Sequence, residues 1–372
     1  MSRVVRLHET GGPEVLRVER REVPVPGPGE ILLRVRAIGL NRAEAMYRLG
    51  AYLEPTPLPT LIGYEASGVV EAVGDGVEGF APGDAVSTIP AFSMSRYGVY
   101  GDHALVPVHA VARHPARLSW EEATSIWMQY LTAWGGLVEV GALRAGQTVI
   151  VTAASSSVGI AALQIARQVD ATAIATTRSG DKAAALREAG ADHVVATDHQ
   201  DLAAEVARIT AGRGAELAFD PIAGPGVEVL AQCMAMHGSI LLYGRLTSEA
   251  TPFPLIAAMQ KQLRVQGYTL FQVTSDPAWL ERGKAFVTAG LSPARCGRWS
   301  RGCSRSTTSP RRTGSWRATR RPARSSWCPE RPARRCLALR PRALPLAIPP
   351  GASRPWTGLH WSSTHDPCVE LQ

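Results

Sequence analysis

The run Ala153–Gly159 carries only small side chains apart from one valine. It lies between a β-branched run, Val149-Ile150-Val151, and apolar residues at helical spacing: Ile160, Leu163, Ile165, Ala166 and Val169. A turn free of bulky side chains lets backbone N–H groups approach a pyrophosphate at a helix N-terminus. In the G-x-G-x-x-G register the chain reads Ala154-x-Ser156-x-x-Gly159, which keeps the last glycine alone. Ala154, Ser156, Ser157, Val158 and Gly159 are therefore candidate cofactor contacts; on the pattern alone, a buried strand–turn–helix that binds nothing stays open. A second β-branched run, Thr172–Thr177, ends in Thr177-Arg178-Ser179, with Lys182 a turn later. An acid at this strand end would hold the ribose hydroxyls of NADH. Two cations and two hydroxyls suit the extra phosphate of NADPH instead. The plain alternative is a solvated helix start, yet cations in a first helical turn oppose the helix dipole.

Holding these groups in place takes a strand, a tight turn, a helix and a second parallel strand. That is the βαβ unit of a doubly wound sheet, here Gln147–Thr177. The alternation continues with helix Asp181–Ala189, strand His193–Ala196, helix Asp201–Thr210, strand Glu216–Phe219, helix Val227–Cys233 and strand Ser239–Tyr243. Five strands with intervening helices predict an α/β fold with a parallel sheet. Ligands gather at the carboxyl ends of such strands, and Gly244 follows the last of them.

Upstream the pattern is different. Val4–Leu7, Val15–Val23, Ile31–Ile38, Gly63–Val73 and Asp84–Thr88 read as short strands, broken by Pro- and Gly-rich turns, and predict a small irregular barrel. One short helix opens at Asn41, with Glu44 three residues on as its capping partner. Two helices, Ser119–Thr132 and Gly135–Val140, lead from this region to the sheet.

The chain has 372 residues and a formal charge of +8, but the charge is unevenly placed. Residues 293–372 hold 16 Arg, no Lys and 3 acids, which leaves 24 basic and 29 acidic side chains in residues 1–292. The body is thus mildly acidic, which argues against a nucleic-acid-binding body. Its one cysteine, Cys233, fits a reducing compartment. No stretch approaches the roughly 20 apolar residues of a membrane span, and Met1–Thr10 lacks an apolar signal core. A cytoplasmic protein with no membrane partner is expected.

Three segments carry a resemblance. Gly39-Leu40-Asn41-Arg42-Ala43-Glu44, Tyr47-Arg48-Leu49-Gly50-Ala51-Tyr52 and Gly63-Tyr64-Glu65-Ala66-Ser67-Gly68-Val69-Val70-Glu71-Ala72-Val73-Gly74, followed in order by Thr152–Gly159, resemble the quinone oxidoreductase branch of the medium-chain dehydrogenase/reductase family. The likeness covers about residues 4–292. It implies a GroES-like β-barrel domain for substrate (residues 1–125) and a Rossmann domain for NADPH (126–268). Residues 269–292 then begin a return to the first domain, and the nicotinamide lies in the cleft between the two. It also implies that Thr132 faces the cofactor, that Leu270-Phe271 lie beside the nicotinamide, and that the protein is a homodimer if its C-terminus is intact. Thr197 stands where relatives often carry a tyrosine beside the extra phosphate.

Zinc-dependent relatives place a cysteine where this chain has Leu40-Asn41, and a histidine where it has Tyr64. The body offers no closed set of about four ligands of the kind zinc needs, so no metal is expected, and Glu65 and His103 are read as structural. Without a Lewis acid, interconversion of simple alcohols and ketones is disfavoured. Hydride delivery from NADPH to the β carbon of a quinone or enone needs only hydrogen-bond donors for the enolate and a proton. Asn41, Tyr47, Tyr52 and Tyr64 are the candidate catalytic donors, Asn41 and Tyr52 first among them. For the tyrosines, simple packing at the rim of the cleft is the alternative.

From Pro293 the hydrophobic periodicity disappears. Residues 293–372 hold five of the six cysteines and five of the nine tryptophans, with no Phe or Tyr. With GC-rich codons, Ala323-Arg324-Ser325-Ser326-Trp327-Cys328 read one base earlier becomes Gly-Lys-Ile-Val-Val-Val. Arg311–Arg317 likewise becomes Glu-Ala-His-Arg-Phe-Leu-Glu, and Ala294–Ser300 becomes Gly-Ala-Leu-Arg-Pro-Val-Val. The expectation is a one-base frame shift near Ser292–Pro293 and a disordered out-of-frame tail. The alternative to an active enzyme is then an impaired relative that at most binds nucleotide or, through its Arg-rich tail, nucleic acid.

Overall fold

Strand Glu30–Gly39 is the axis of the N-terminal domain, because Ile31, Leu33, Val35, Ala37 and Ile38 are all buried along it. The computed structural model describes residues 1–291 and a two-residue strand, Ser326–Trp327. The expectations for residues 293–372, namely the shifted frame, the disordered tail and the nucleic-acid arm, otherwise lie outside the described residues.

Glu65–Val73 pairs with the axis strand antiparallel along one edge, and His103–Pro107 covers its first half on the other. Ala85–Thr88 and Val111–Arg113 extend the sheet beyond Glu65–Val73. A second sheet of Leu16–Arg21, Ser2–Leu7 and Thr60–Leu61 closes the barrel-like shell. Its core gathers Leu7, Ile31, Leu33, Tyr47, Tyr64 and Val106. Strands His103–Pro107 and Val111–Arg113 were not read from the sequence. Each is short, and the second is only three residues long.

The cofactor-type domain is a parallel sheet in the spatial order His193–Ala196, Thr172–Thr177, Thr148–Val151, Ala215–Asp220, Met234–Leu242, Arg264–Gly267. Counted along the chain this is 3-2-1-4-5-6, the doubly wound order of dinucleotide-binding folds. Val149, Ile150 and Val151 are fully buried because helices cover both faces, which is why this strand reads as a continuous apolar run. The sheet has six strands where the sequence pattern gave five. Arg264–Gly267 is an edge strand with exposed ends, so it lacks the apolar run that marks a buried one.

Helix Ser157–Gln168 packs Ala161, Ala162, Leu163, Ile165 and Ala166 into the core. Ser156 caps it by accepting the Gly159 N–H at 3.1 Å. The segment expected as one helix over Ser119–Thr132 is two, Trp120–Ala123 and Trp127–Trp134. The side chains of Thr124 and Ser125 both turn back to the Glu121 carbonyl, which competes with continuing the helix.

Candidate functional site

The phosphate-type turn is built by close approach. At Gly159 a Cβ would sit 2.6 Å from the Ala154 carbonyl oxygen, so only glycine lets the first helical turn lie against the turn residues. Ala153 bends the chain there with a positive φ of 43°. The Ala154 N–H donates to the Thr176 carbonyl at 3.3 Å, which ties the turn to the end of the neighbouring strand. Lys182 Nζ reaches back across the same gap to Ser155 Oγ at 3.1 Å. Ala154, Ser156, Ser157, Val158, Gly159, Thr177 and Lys182 are thereby brought to one place. Arg178 is exposed, and Ser179 Oγ donates to Asp181 Oδ2 at 3.2 Å.

Asp220 is tied to Thr152, the residue before this turn, and sequence reading missed it. It ends strand Ala215–Asp220, is 2% exposed, and accepts the Thr152 hydroxyl and the Ala223 N–H. Burial pushes its carboxyl above the usual range, and these hydrogen bonds pull it back. The sequence signal was a strand that stopped one residue short of it. Gly244 lies against Pro221, just past Asp220, where a Cβ would come within 2.9 Å of the Pro221 carbonyl oxygen. Tyr243 beside it stacks on Phe219, with centroids 4.0 Å apart.

On the barrel side, Asn41 caps helix Arg42–Arg48, and the Glu44 carboxylate accepts the Asn41 N–H at 2.5 Å. Asn41 Nδ2 donates to Glu44 Oε1 at 3.1 Å and to Glu65 Oε2 at 3.0 Å. The other oxygen of Glu65 accepts the Met128 N–H at 2.9 Å. Met128 belongs to helix Trp127–Trp134, and its carbonyl accepts the Thr132 hydroxyl. One path of hydrogen bonds thus joins Asn41 to Thr132. Burial raises the Glu44 carboxyl to about 7, against the pull of its hydrogen bonds to Asn41 and the Tyr64 N–H; Glu65 adds a further upward push.

The three tyrosines divide by burial. The Tyr47 hydroxyl is 2.8 Å from that of Thr60 inside the barrel core. Tyr64 is fully buried and donates to Glu54 Oε1 at 2.7 Å; burial holds its phenol far above the usual range. Tyr52 is half-buried, and burial raises it to about 12 although Tyr64 lies within hydrogen-bonding reach. Its ring tilts against Tyr64 at 6.3 Å, and Phe271 meets Tyr64 edge-on at 6.2 Å. Phe271 comes from the segment after the parallel sheet, so the aromatic cluster joins barrel and sheet.

Asn41, Tyr52, Tyr64 and Phe271 therefore share one region with Glu44 and Glu65, while Tyr47 lies beneath it. His103 lies away from them, with Nδ1 3.0 Å from Ser2 Oγ. Among the described residues no group of three or more His, Cys, Asp or Glu side chains is placed to hold a metal ion, and no helix is long and apolar enough to cross a membrane.

Residues 27–116 match the family model of the alcohol dehydrogenase GroES-like domain, and residues 157–282 match that of the zinc-binding dehydrogenases. Human quinone oxidoreductase is 30% identical over 293 residues, covering 78% of this chain and 86% of that protein. The synaptic vesicle membrane protein VAT-1 homolog of rat is 33% identical over 253 residues, covering 68% of this chain and 61% of that protein. The chain thus spans about three fifths of the length of that relative. Among solved structures, Escherichia coli quinone oxidoreductase complexed with NADPH superposes with a TM-score of 0.71 at 26% identity, covering 80% of this chain and 89% of that one.

Proposed function

Because the chain belongs to the zinc-independent quinone oxidoreductase branch of the medium-chain dehydrogenase/reductase family, we propose that it uses NADPH to reduce the polarised C=C bond of a quinone or enone. The observation that carries the cofactor half of this reading is Lys182 Nζ at 3.1 Å from Ser155 Oγ, a cation from the second strand's end placed over the phosphate-type turn. The cradle at Gly159, where no Cβ fits, suits a pyrophosphate at the N-terminus of helix Ser157–Gln168. Ser156, Ser157 and Val158 would hold it there, with Thr177, Arg178, Ser179 and Lys182 around the adenosine phosphate. Thr132, Gly244 and Phe271 would flank the nicotinamide half.

When bound, the reduced nicotinamide supplies a hydride to the β carbon of the substrate. The protein's own part is to orient the carbonyl and stabilise the enolate oxygen. The Tyr52 phenol, raised to about 12, stays protonated through the neutral range and can donate a hydrogen bond to that oxygen. Asn41 spends both amide hydrogens on Glu44 and Glu65, so its role in this reading is to position the loop beside Tyr52 rather than to donate to substrate. Tyr64 and Tyr47 support the cluster from beneath, and solvent supplies the final proton. No step calls for a Lewis acid, in keeping with Asn41 and Tyr64 at the positions where zinc-dependent relatives carry ligands.

Steady-state oxidation of NADPH and of NADH with a simple quinone tests the reading. Lys182→Ala is expected to raise KM for NADPH by about tenfold, the cost of one charged hydrogen bond, and to leave NADH nearly unchanged. A parent protein that prefers NADH, or a variant that weakens both cofactors equally, contradicts it. The same reading includes a cytoplasmic location and, where the C-terminus is intact, a homodimer.

A further inference from the structure

Between helix Arg42–Arg48 and strand Thr60–Leu61 the chain runs Leu49-Gly50-Ala51-Tyr52-Leu53-Glu54-Pro55-Thr56-Pro57-Leu58-Pro59. Prolines at every second position from 55 to 59 remove backbone donors and rule out a helix or a central strand, so side chains must fix this loop. Its leucines do not: Leu49, Leu53 and Leu58 are 55%, 67% and 42% exposed. The Ala51 N–H donates to the Met46 carbonyl at 2.9 Å and Thr56 Oγ1 donates to the Tyr47 carbonyl at 2.9 Å, which ties the loop back to its own helix. Tyr52 lies between these two ties.

Glu54 ties the same stretch to the barrel. Its Oε1 accepts the Tyr64 hydroxyl at 2.7 Å and the Met94 N–H at 3.2 Å, and its Oε2 accepts the Ser93 hydroxyl at 2.5 Å. Ser93 in turn caps helix Met94–Tyr97 by accepting the Ser95 N–H at 3.2 Å. Phe92, just before it, packs on the Tyr64 ring with centroids 5.8 Å apart. Tyr64 and Met94 are fully buried. One carboxylate, two residues along from Tyr52, thus joins a loop with exposed leucines to fixed points of the barrel core.

We infer that Glu54 is a positioning residue for the proposed reduction: through its hydrogen bonds to Tyr64, Ser93 and Met94 it holds the 49–59 loop so that the Tyr52 phenol meets the substrate oxygen. The inference rests on the role given to Tyr52 above. A hydrogen-bond donor to a reacting group must be held within about 0.5 Å of its productive place, and a misplacement of about 1 Å can cost roughly 100-fold in rate. The charge of Glu54 is secondary, because burial is the first cause that keeps Tyr52 protonated and the charges of Glu44 and Glu54 only add to it. Glutamine at this position therefore preserves the function. Its amide oxygen can accept from Tyr64 and Met94, and its amide N–H can donate to the Ser93 oxygen.

The test compares the full chain with Glu54→Ala, Glu54→Gln, Tyr52→Phe and the double variant Glu54→Ala/Tyr52→Phe. For each, kcat is measured with NADPH and a simple quinone, and the NADPH dissociation constant by nicotinamide fluorescence. Glu54→Ala is expected to lower kcat about tenfold or more with NADPH affinity within about twofold of the parent, and Glu54→Gln to stay within about threefold in kcat. The double variant should be no more than about twofold slower than Tyr52→Phe, since Glu54 acts through Tyr52. Ser93→Ala removes one of the hydrogen bonds and leaves Glu54 in place; it should lower kcat about threefold, and it decides the matter if Glu54→Ala fails to fold. Parental kcat in Glu54→Ala, or in Ser93→Ala where that variant decides, overturns the inference. So does glutamine as damaging as alanine, or a double variant slowed by the product of the single effects. Parental kcat in Tyr52→Phe instead overturns the role of Tyr52 beneath it, and a parent that turns over no quinone overturns the proposed function itself.

Discussion

Asn41 and Glu44 show how far residue types alone can carry an argument. Both were legible in the sequence, one as a hydrogen-bond donor and the other as a helix cap. Their joint use with Glu65 was not, because Glu65 is separated from Asn41 by 24 residues and meets it only through strand pairing. The consequence is a carboxyl group raised to about 7 inside the barrel. An acid raised on folding binds more protons in the native state, so its contribution to stability is complete below its unfolded value and is lost as pH rises through about 7. Glu44→Gln keeps the capping geometry, since glutamine serves at this position, and removes the titration. Stability measured by urea unfolding from pH 4.5 to 8 should fall less steeply in the variant than in the parent, by up to about 3 kcal/mol across the range. Parallel curves would contradict the assignment.

At the scale of elements, the buried strand–turn–helix was readable because its constraints are local: β-branched residues, small turn residues, an apolar helical stripe. Edge elements were not. Helix Leu255–Lys261, leading into edge strand Arg264–Gly267, exposes Leu255, Ile256 and Met259, with Phe253 just before it. A helix that turns its apolar residues outward gives no amphipathic signal for a monomer core, and such a patch marks a contact surface. The homodimer reading assigns it to a second copy of the chain. Ile256 is 65% exposed, so Ile256→Asp should leave the melting temperature within about 2 °C of the parent. Light scattering should then give half the parent mass. An unchanged mass, or a parent that is already monomeric, rules out this face.

For the whole molecule, two domains divide the chemistry. The parallel sheet holds the small-residue turn, Lys182 and Asp220; the barrel holds Asn41, Tyr52 and the paired carboxylates; Met128 and Phe271 tie the two together. Alternation of strands and helices in the sequence was enough to predict the parallel sheet, whereas the ties between barrel and sheet depend on three-dimensional register. In the proposed function, hydride goes to a C=C bond rather than to a carbonyl carbon. Incubating the full chain with an enone and NADPH deuterated on the transferred side, then locating the label by NMR, tests it most directly. Deuterium on the β carbon of a saturated ketone is the expected result. Deuterium on the carbinol carbon of an alcohol would contradict it.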